Sequence, residues 1–248
     1  GDVYKRQLTR NETSRGGSLD NTQARAWGSY SYIKPDTTVF MAEVGLWQNI
    51  TDKFNYRGLL SLSNGSDDIL LTDSHGATGP TPSVSLYLQQ TLPRKQMLIV
   101  DFNSSFYFGR SFSDYLEQTS DAADYLTDIH TSIKDRNQAY AVEADYIKNW
   151  EKGRFTAGAS YTANRNRSQY ENLDGEIFHQ RQDKVYLFAE YFHRFGKWTA
   201  TVGMGVQYTE FLFEESNKGN HTWSPRPQAT ITYSLSQNHN FRLNFTCL

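Results

Sequence analysis

Alternation between apolar and polar side chains is clearest in residues 184–245. Two long alternating segments meet there at a tight turn, Gly196-Lys197, and a second long pair meets at residues 237–240. A period of two places successive side chains on opposite faces of an extended chain. The pattern therefore predicts β-hairpins whose two faces meet different environments.

The segment from Trp198 to Tyr208 indicates which environments these are. Its even positions are apolar with an aromatic residue at each end, and its odd positions are Thr, Gly and Gln. At about 3.3 Å per residue, the segment is about 33 Å long. A tilt of about 40° reduces its height to about 25 Å, the thickness of the lipid-facing band of a membrane β-barrel between its aromatic girdles. The segment is predicted to be a transmembrane strand.

The same criterion predicts about ten strands in the whole chain. Outside 184–245, the strands are predicted at residues 22–33, 37–50, 83–92, 97–108, 140–148 and 155–163. Residues 8–21 are polar and rich in Gly and Ser, so they are predicted to form a loop or a frayed edge. Most predicted strands exceed the five or six residues that are usual in soluble sheets.

The predicted connections alternate in length. Short turns fall at residues 34–36, 93–95, 149–153, 196–197 and 237–240, and long polar loops at 51–82, 110–137 and 164–183 and after residue 213. Because the strands of a meander alternate in direction, all the short turns lie at one edge and all the long loops at the other. Outer-membrane barrels have this asymmetry, with short periplasmic turns and long extracellular loops. The turn at Gly196-Lys197 is therefore predicted to be periplasmic.

Composition agrees with a membrane barrel. Aromatic residues make up 15% of the 248 residues, while the mean hydropathy is −0.68. This combination suits a barrel with a wet lumen and an aromatic outer belt. No apolar run approaches the length of a transmembrane helix. The net charge of −2 gives no indication of nucleic-acid binding. A soluble β-sandwich, whose apolar face is simply its core, is the alternative that strand length and loop asymmetry disfavour.

Motifs that resemble catalytic or metal sites have simpler explanations. The six His residues show no metal-binding spacing. Residues 73–75 (DSH) and 128–130 (DIH) contain residue types of catalytic triads, but adjacent residues rarely converge, and triads are defined by geometry. Residues 203–205 (GMG) precede no predicted helix, so they are not a dinucleotide loop. The sequence predicts no catalytic residue, no cofactor site and no metal site, and the chain is not expected to be an enzyme.

The predicted extracellular loops contain acidic and aromatic residues suited to ligand contacts, and Asp114, Tyr115, Asp124 and Tyr125 are the candidates. A solvated loop is the simpler interpretation of these four residues. One further acid stands out, because Glu190 shares a strand face with Tyr186 and Phe188. Glu190 is predicted to face the lumen with aromatic side chains around it, against an interior plug.

The run YLFAEYFHRFGKWTATVGMGVQYTEF at residues 186–211 resembles the repeated strand–turn–strand unit of TonB-dependent outer-membrane receptors. The run SPRPQATITYSLSQNHNFRLNFT at residues 224–246 is similar to the unit that follows it, and the nearest subgroup is the outer-membrane β-barrel family. The resemblance rests on motifs over residues 139–246 and on pattern alone over residues 22–108. It implies an antiparallel up-and-down transmembrane barrel in the outer membrane of a Gram-negative bacterium.

The resemblance also implies a function: uptake of a nutrient or chelate, energised by the TonB complex. The expected partners are outer-membrane lipid, TonB through an N-terminal region not recognised in these residues, and an unidentified small-molecule ligand. About ten strands are less than half of a barrel of about 22 strands. Two alternatives stay open: an outer-membrane binding or adhesion barrel without active transport, and a soluble extracellular β-sandwich module.

The two ends of the sequence are expected to be foreign to the protein. Residues 2–7 (DVYKRQ) match one reading frame of the transposase sequencing adapter GATGTGTATAAGAGACAG. Residues 247–248 fit the start of the same adapter read on the other strand. Residues 1–7 and 247–248 are therefore interpreted as adapter-derived, and residues 8–246 as a partial outer-membrane β-barrel domain.

Overall fold

Ten long strands make up almost all of the fold. The computed structural model describes residues 10–62, 68–119, 125–172, 175–213, 218–236 and 239–247. The strands are β1 (Arg10–Lys34), β2 (Thr38–Leu62), β3 (Ile69–Leu92), β4 (Gln96–Thr119), β5 (Tyr125–Asn149), β6 (Gly153–Tyr170), β7 (Ile177–Phe195), β8 (Trp198–Phe213), β9 (Lys218–Ser236) and β10 (His239–Thr246). They pair antiparallel, in chain order, in one sheet.

This topology confirms the prediction of about ten strands in an up-and-down meander. Among the described residues β1 and β10 are not paired with each other, so the sheet is open, as expected for an incomplete barrel. One continuous sheet is not a pair of packed sheets, so the β-sandwich hypothesis is wrong. The part of the chain that the structure describes contains no helix long and apolar enough to cross a membrane.

Residues 1–9 and 248 lie outside the described residues, so the interpretation of residues 1–7 and 247–248 as adapter-derived stays a prediction. Cys247 follows β10 directly and its thiol is free and exposed.

The predicted long loops are wrong for most of their length. Most of residues 51–82 belongs to β2 and β3, most of 110–137 to β4 and β5, and most of 164–183 to β6 and β7. Likewise β1 begins at Arg10, within the segment predicted to be a loop or frayed edge. Alternation of apolar and polar residues stops where both faces of a strand meet water, but the ladder of backbone hydrogen bonds continues. The pattern therefore marked where strands cross the membrane and missed where they end.

The short turns are where the sequence predicts them. The backbone is left-handed at Asp36 (φ 60°), Arg94 (φ 61°), Lys95 (φ 59°) and Gly196 (φ 62°). Positive φ at the central residues lets a tight turn match the twist of the flanking strands. Glycine adopts this conformation at residue 196 without steric cost. Residues 237–238 of the last turn lie outside the described residues.

From β4 to β9 one face of the sheet carries apolar side chains and the other carries polar ones. Residues paired directly across strands lie on the same face, and one such row consists of Phe102, Val142, Tyr161, Val185, Tyr208 and Trp223. The adjacent row, on the opposite side, consists of Asp101, Glu143, Ser160, Tyr186, Gln207 and Ser224. We call these sides the apolar face and the polar face. Val202 and Met204 lie on the apolar face, 61% and 58% exposed, as the prediction for β8 requires.

The pairing is staggered along the sheet. One row of paired residues runs from Leu92, the last residue of β3, through Gln96, Lys148, Phe155, Tyr191 and Val202 to Ala229 of β9. Ala229 lies about seven residues, or about 23 Å, from the end of β9 at Ser236. Between β3 and β9 the strand spacings of about 4.8 Å add up to about 29 Å. The two lengths correspond to a strand tilt of about 40°, which is usual for membrane barrels.

Candidate functional site on the polar face

Two stacked aromatic side chains cover the polar face of strands β6 to β8. The rings of Tyr186 and Phe188 on β7 have centroids 5.6 Å apart and planes inclined by 17°. A Cβ atom at Gly205 would lie 2.4 Å from the Tyr186 hydroxyl oxygen, and one at Gly158 would lie 2.5 Å from Phe188 Cε1. Glycine on both neighbouring strands therefore leaves the space that the two rings occupy, and the rings lie flat against the sheet.

A carboxylate on the same strand extends this site toward the short-turn edge. Glu190 Oε2 accepts a hydrogen bond of 2.9 Å from Gln228 Nε2 on β9, and Arg154 Nη2 on β6 lies 3.9 Å from Glu190 Oε1. The Glu190 side chain is 22% exposed. Glu190 lies on the polar face, on the same strand as Tyr186 and Phe188, as predicted, whereas its contact with an interior plug stays a prediction.

On the other side of the aromatic pair the polar face is acidic. Asp101 of β4 is paired directly with Glu143 of β5, and Asp145 follows two residues later on the same face. Asn103 bridges toward β3, since its amide donates to Asp101 and its Oδ1 accepts a hydrogen bond of 2.7 Å from Ser85. The polar face thus presents an aromatic surface with carboxylates on both sides.

Two side-chain atoms in one row on the polar face have no hydrogen-bond partner among the described residues. They are Asp145 Oδ1 and Arg226 Nε, and both are buried. The row runs Asp145, Gly158, Phe188, Gly205, Arg226, so the Phe188 ring lies between the two charges. Because the described residues alone already bury both atoms, the cost of leaving them unpaired falls on the wall itself.

Near the strand ends opposite the short turns, hydrogen bonds join β4, β5 and β6 on the polar face. Asp135 Oδ2 accepts a hydrogen bond of 3.2 Å from Ser111, and its Oδ1 accepts one of 2.7 Å from Ser168. Glu117 accepts hydrogen bonds from Tyr115 (2.7 Å) and Thr127 (3.0 Å). The sequence pattern predicts loops here, so it gives no sign of this group. Only the pairing of β4 with β5 and of β5 with β6, continued beyond the predicted strand ends, brings these residues together.

The four predicted loop candidates do not form one site. Asp114 and Tyr115 are successive residues of β4, in a strand and not in a loop, so their side chains lie on opposite faces. Asp114 contacts His130 of β5, whereas Tyr115 binds Glu117. Tyr125 begins β5 and is 66% exposed, and Asp124 lies outside the described residues.

The triad-like motifs do not assemble. In β3, Asp73 and His75 lie on one face with Oδ1 and Nδ1 3.6 Å apart, whereas Ser74 lies on the other face and donates a hydrogen bond of 2.9 Å to Asn55. In β5, His130 contacts Asp114 of the neighbouring strand. Over the described ranges there is no group of three His, Cys, Asp or Glu residues that could hold a metal ion.

A buried carboxylate lies on the apolar face beyond its aromatic row. Asp183, whose side chain is 8% exposed, accepts hydrogen bonds from the Tyr161 hydroxyl (2.6 Å), Arg165 Nη2 (2.7 Å) and Arg181 Nε (2.5 Å). Burial alone raises the pKa of Asp183, but the hydrogen bonds from Tyr161, Arg165 and Arg181 outweigh it and lower that pKa to about 2. Asp183 is therefore an anion at any physiological pH.

A second carboxylate joins β4, β5 and the end of β6. Glu171 accepts from Lys134 Nζ (2.7 Å), Arg110 Nη2 (3.0 Å) and the Ser132 hydroxyl (2.6 Å). The hydrogen bonds from Lys134 and Ser132, followed by the charge of Arg110, lower the pKa of Glu171 to about 2. This ion-pair cluster joins the ends of these strands that lie opposite the short turns.

Tall, tilted strands in one sheet, apolar on one side and polar on the other, define the wall of a membrane β-barrel. The model of the outer membrane protein beta-barrel family matches residues 90–247. The chain belongs to this family, which places it in the outer membrane of a Gram-negative bacterium. No curated protein matches the chain.

Three solved structures share the fold over almost the whole chain. The FpvAI–pyocin S2 complex has a TM-score of 0.58 at 10% identity, covering 95% of this chain and 40% of that one. The ferripyoverdine receptor of the Pseudomonas aeruginosa outer membrane has a TM-score of 0.57 at 10% identity, with coverage of 96% and 41%. The alcaligin outer-membrane receptor FauA from Bordetella pertussis has a TM-score of 0.52 at 13% identity, with coverage of 97% and 43%.

These similarities confirm the outer-membrane β-barrel fold. The chain spans well under half of each of the three matched chains. Two of the three proteins are described as receptors.

Proposed function

We propose that the chain forms part of the barrel wall of a TonB-dependent receptor that imports a nutrient or chelate across the outer membrane. The observation that carries this proposal is the polar face, where the stacked Tyr186–Phe188 pair lies between the carboxylates of β4 and β5 on one side and Glu190 on the other. An aromatic and charged inner surface suits contact with a protein segment packed inside the barrel, as in plugged transporters.

Two further observations support transport. The strands extend well beyond the membrane band, so the wall is tall enough to enclose a vestibule above the bilayer. The fold is also shared with receptors described as binding ferripyoverdine and as the receptor for alcaligin. A metal chelate is therefore the first class of ligand to test.

The test uses a complete receptor that carries these strands in its barrel. The purified periplasmic domain of TonB is titrated onto the receptor in detergent, and binding is followed by light scattering or interferometry. Uptake of a panel of radiolabelled ferric chelates is then compared in a strain with the receptor, a strain without it, and a strain without TonB.

The proposal expects TonB binding, together with uptake of at least one chelate that both deletions abolish. Uptake that persists without TonB would overturn energised import. Absence of both TonB binding and uptake would favour an outer-membrane binding or adhesion barrel, which would have the same wall.

A further inference from the structure

Four arginines crowd the apolar face beyond its aromatic row. Arg136 of β5 is paired directly with Arg167 of β6, and Arg165 of β6 with Arg181 of β7. Residues two apart in a strand share a face, so all four side chains leave the sheet on the same side as Tyr161. Like charges directly opposite each other destabilise a sheet. Two such pairs in neighbouring positions favour binding of an anion.

The carboxylates of the protein neutralise only part of this charge. Asp183 pairs with both Arg165 and Arg181, and Glu171 is engaged by Arg110 and Lys134. Arg136 and Arg167 have no ion-pair partner in the part of the chain that the structure describes. Glu210 of β8 is paired directly with Asp183 and also acts on Arg181, so two carboxylates face the four positive charges of this group.

The arginines line a cleft of about 210 Å³, together with Gln138. This volume is that of about seven liquid water molecules, which is enough for a phosphate group and part of its hydration shell. The guanidinium of Arg binds phosphate oxygens in a planar, two-pronged geometry. Arg136 is exposed and Arg167 is half-buried, so both can reach an anion in the cleft.

The height of the cleft is set by counting along the strands. Tyr161 marks the upper end of the apolar row on β6, and Arg165 and Arg167 follow it on the same face. At about 3.3 Å per residue and a tilt of about 40°, these two arginines lie about 10–15 Å above Tyr161. The opposite edge of the sheet carries the short turns, so this is the extracellular side.

We propose that Arg136, Arg165, Arg167 and Arg181 form a binding site on the outer wall for the phosphate groups of a phosphorylated glycolipid in the extracellular leaflet. The face is the one that meets lipid, the charge is complementary to phosphate, and the arginines lie at the level of head groups. Basic pockets at the edge of a membrane span bind lipid phosphates in the same way.

The height selects a glycolipid over a glycerophospholipid. The polar layer of an ordinary bilayer adds only about 5–8 Å on each side of the hydrocarbon. A phosphorylated saccharide head group extends further, to the level of the cleft.

The experiment uses a complete receptor that contains these strands, purified in a non-ionic detergent. Native mass spectrometry measures binding of a lipopolysaccharide whose core saccharide carries phosphate, and of the same glycolipid after enzymatic removal of phosphate. The test variant is Arg136→Gln/Arg167→Gln. The control variant Lys184→Gln/Arg194→Gln removes the same charge from the polar face.

The wild-type receptor and the control variant are expected to bind the phosphorylated glycolipid equally. Binding by the test variant is expected to be about tenfold weaker, because each basic residue near an anionic head group adds appreciably to affinity. A second variant, Arg136→Lys/Arg167→Lys, keeps the charge and is expected to retain most of the binding. Its binding would show that the weaker binding of the test variant comes from lost charge and not from misfolding.

Three outcomes would overturn the proposal. The first is equal binding of the phosphorylated and dephosphorylated glycolipids by the wild type. The second is an equal loss of binding in the test and control variants, which would indicate a general effect of charge. The third is displacement of the glycolipid by millimolar inorganic phosphate, which would indicate a site for free anions. Transport assays do not enter this test, so its failure is distinguishable from failure of the proposed function.

Discussion

Gln228 reaches Glu190 across strand β8 because the residue between them is Gly203. Gln228 Nε2 and Glu190 Oε2 are 2.9 Å apart, and a Cβ atom at residue 203 would lie 3.0 Å from that same nitrogen. The hydrogen bond therefore joins two strands that are not neighbours. It also fixes the carboxylate beside the aromatic pair on the polar face.

This bond can be measured with a double-mutant cycle. Glu190→Ala and Gln228→Ala are expected to show a coupling free energy of about 1–2 kcal/mol, because a half-buried hydrogen bond to a charged group has about this value. The measurement is urea unfolding of a complete barrel in lipid vesicles. Strictly additive effects would mean that the two side chains do not interact in the membrane.

Substitutions on β8 test which face meets lipid. Met204→Arg is expected to destabilise the barrel by about 2–4 kcal/mol, since it places a charge near the bilayer midplane. Thr201→Arg, on the polar face of the same strand, is expected to be mild. The free energy of unfolding in vesicles is the measurement, and equal tolerance at both positions would reverse the assignment of the faces.

The glycines beneath the aromatic pair are expected to resist substitution. Gly205→Val would force the Tyr186 ring away from the sheet and is expected to cost about 1–3 kcal/mol, the usual cost of overpacking. The matched control is Gly28→Val on the apolar face of β1, where a Cβ atom would have nothing within 4 Å. Near-equal unfolding free energies of the two variants would show that Tyr186 does not lie over Gly205.

Asp183 gives a prediction of pH dependence. Its folded-state pKa of about 2 is lower than the value of an unfolded Asp, about 3.9, so ionisation stabilises the folded state. This contribution is complete above about pH 5 and is lost as the pH falls through the folded-state pKa. Asp183→Asn is expected to destabilise the barrel by about 1–2 kcal/mol at pH 7.

The difference in unfolding free energy between Asp183→Asn and the wild type should shrink between about pH 4 and pH 2, and the pH series measures it. Glu210 of β8 is paired directly with Asp183 of β7. Glu210→Gln is the control, because it removes a neighbouring carboxylate but leaves Asp183 in place. A difference that stays constant down to pH 2 would contradict the low pKa.

The sequence predicted the membrane-crossing part of the fold because lipid imposes chemistry on it. Between Trp198 and Tyr208 one face must be apolar, so period-two alternation is strong and the strand, its facing and its turn at Gly196 follow directly. The same reasoning placed Glu190 on the polar side. Loop asymmetry then gave the direction of every strand.

The strand ends could not be predicted in this way. Beyond Tyr161 or Tyr140 both faces are wet, and residues such as Asn164, Arg165 and Asn166 carry no alternation even though β6 continues to Tyr170. What continues the strand there is pairing with its neighbours, a non-local interaction. The clusters around Asp135, Glu171 and Asp183 depend on that pairing, so none of them was visible in the sequence.

The stagger between neighbouring strands determines the width of the pore. A strand tilted by about 40° covers about 6 Å of circumference, so these ten strands cover about 60 Å. Closed with the same stagger, a barrel of about 22 strands would have a perimeter of about 140 Å and a backbone diameter of about 45 Å. A hole of that size would be freely permeable to small solutes, so such a barrel keeps the membrane sealed only if its bore is obstructed.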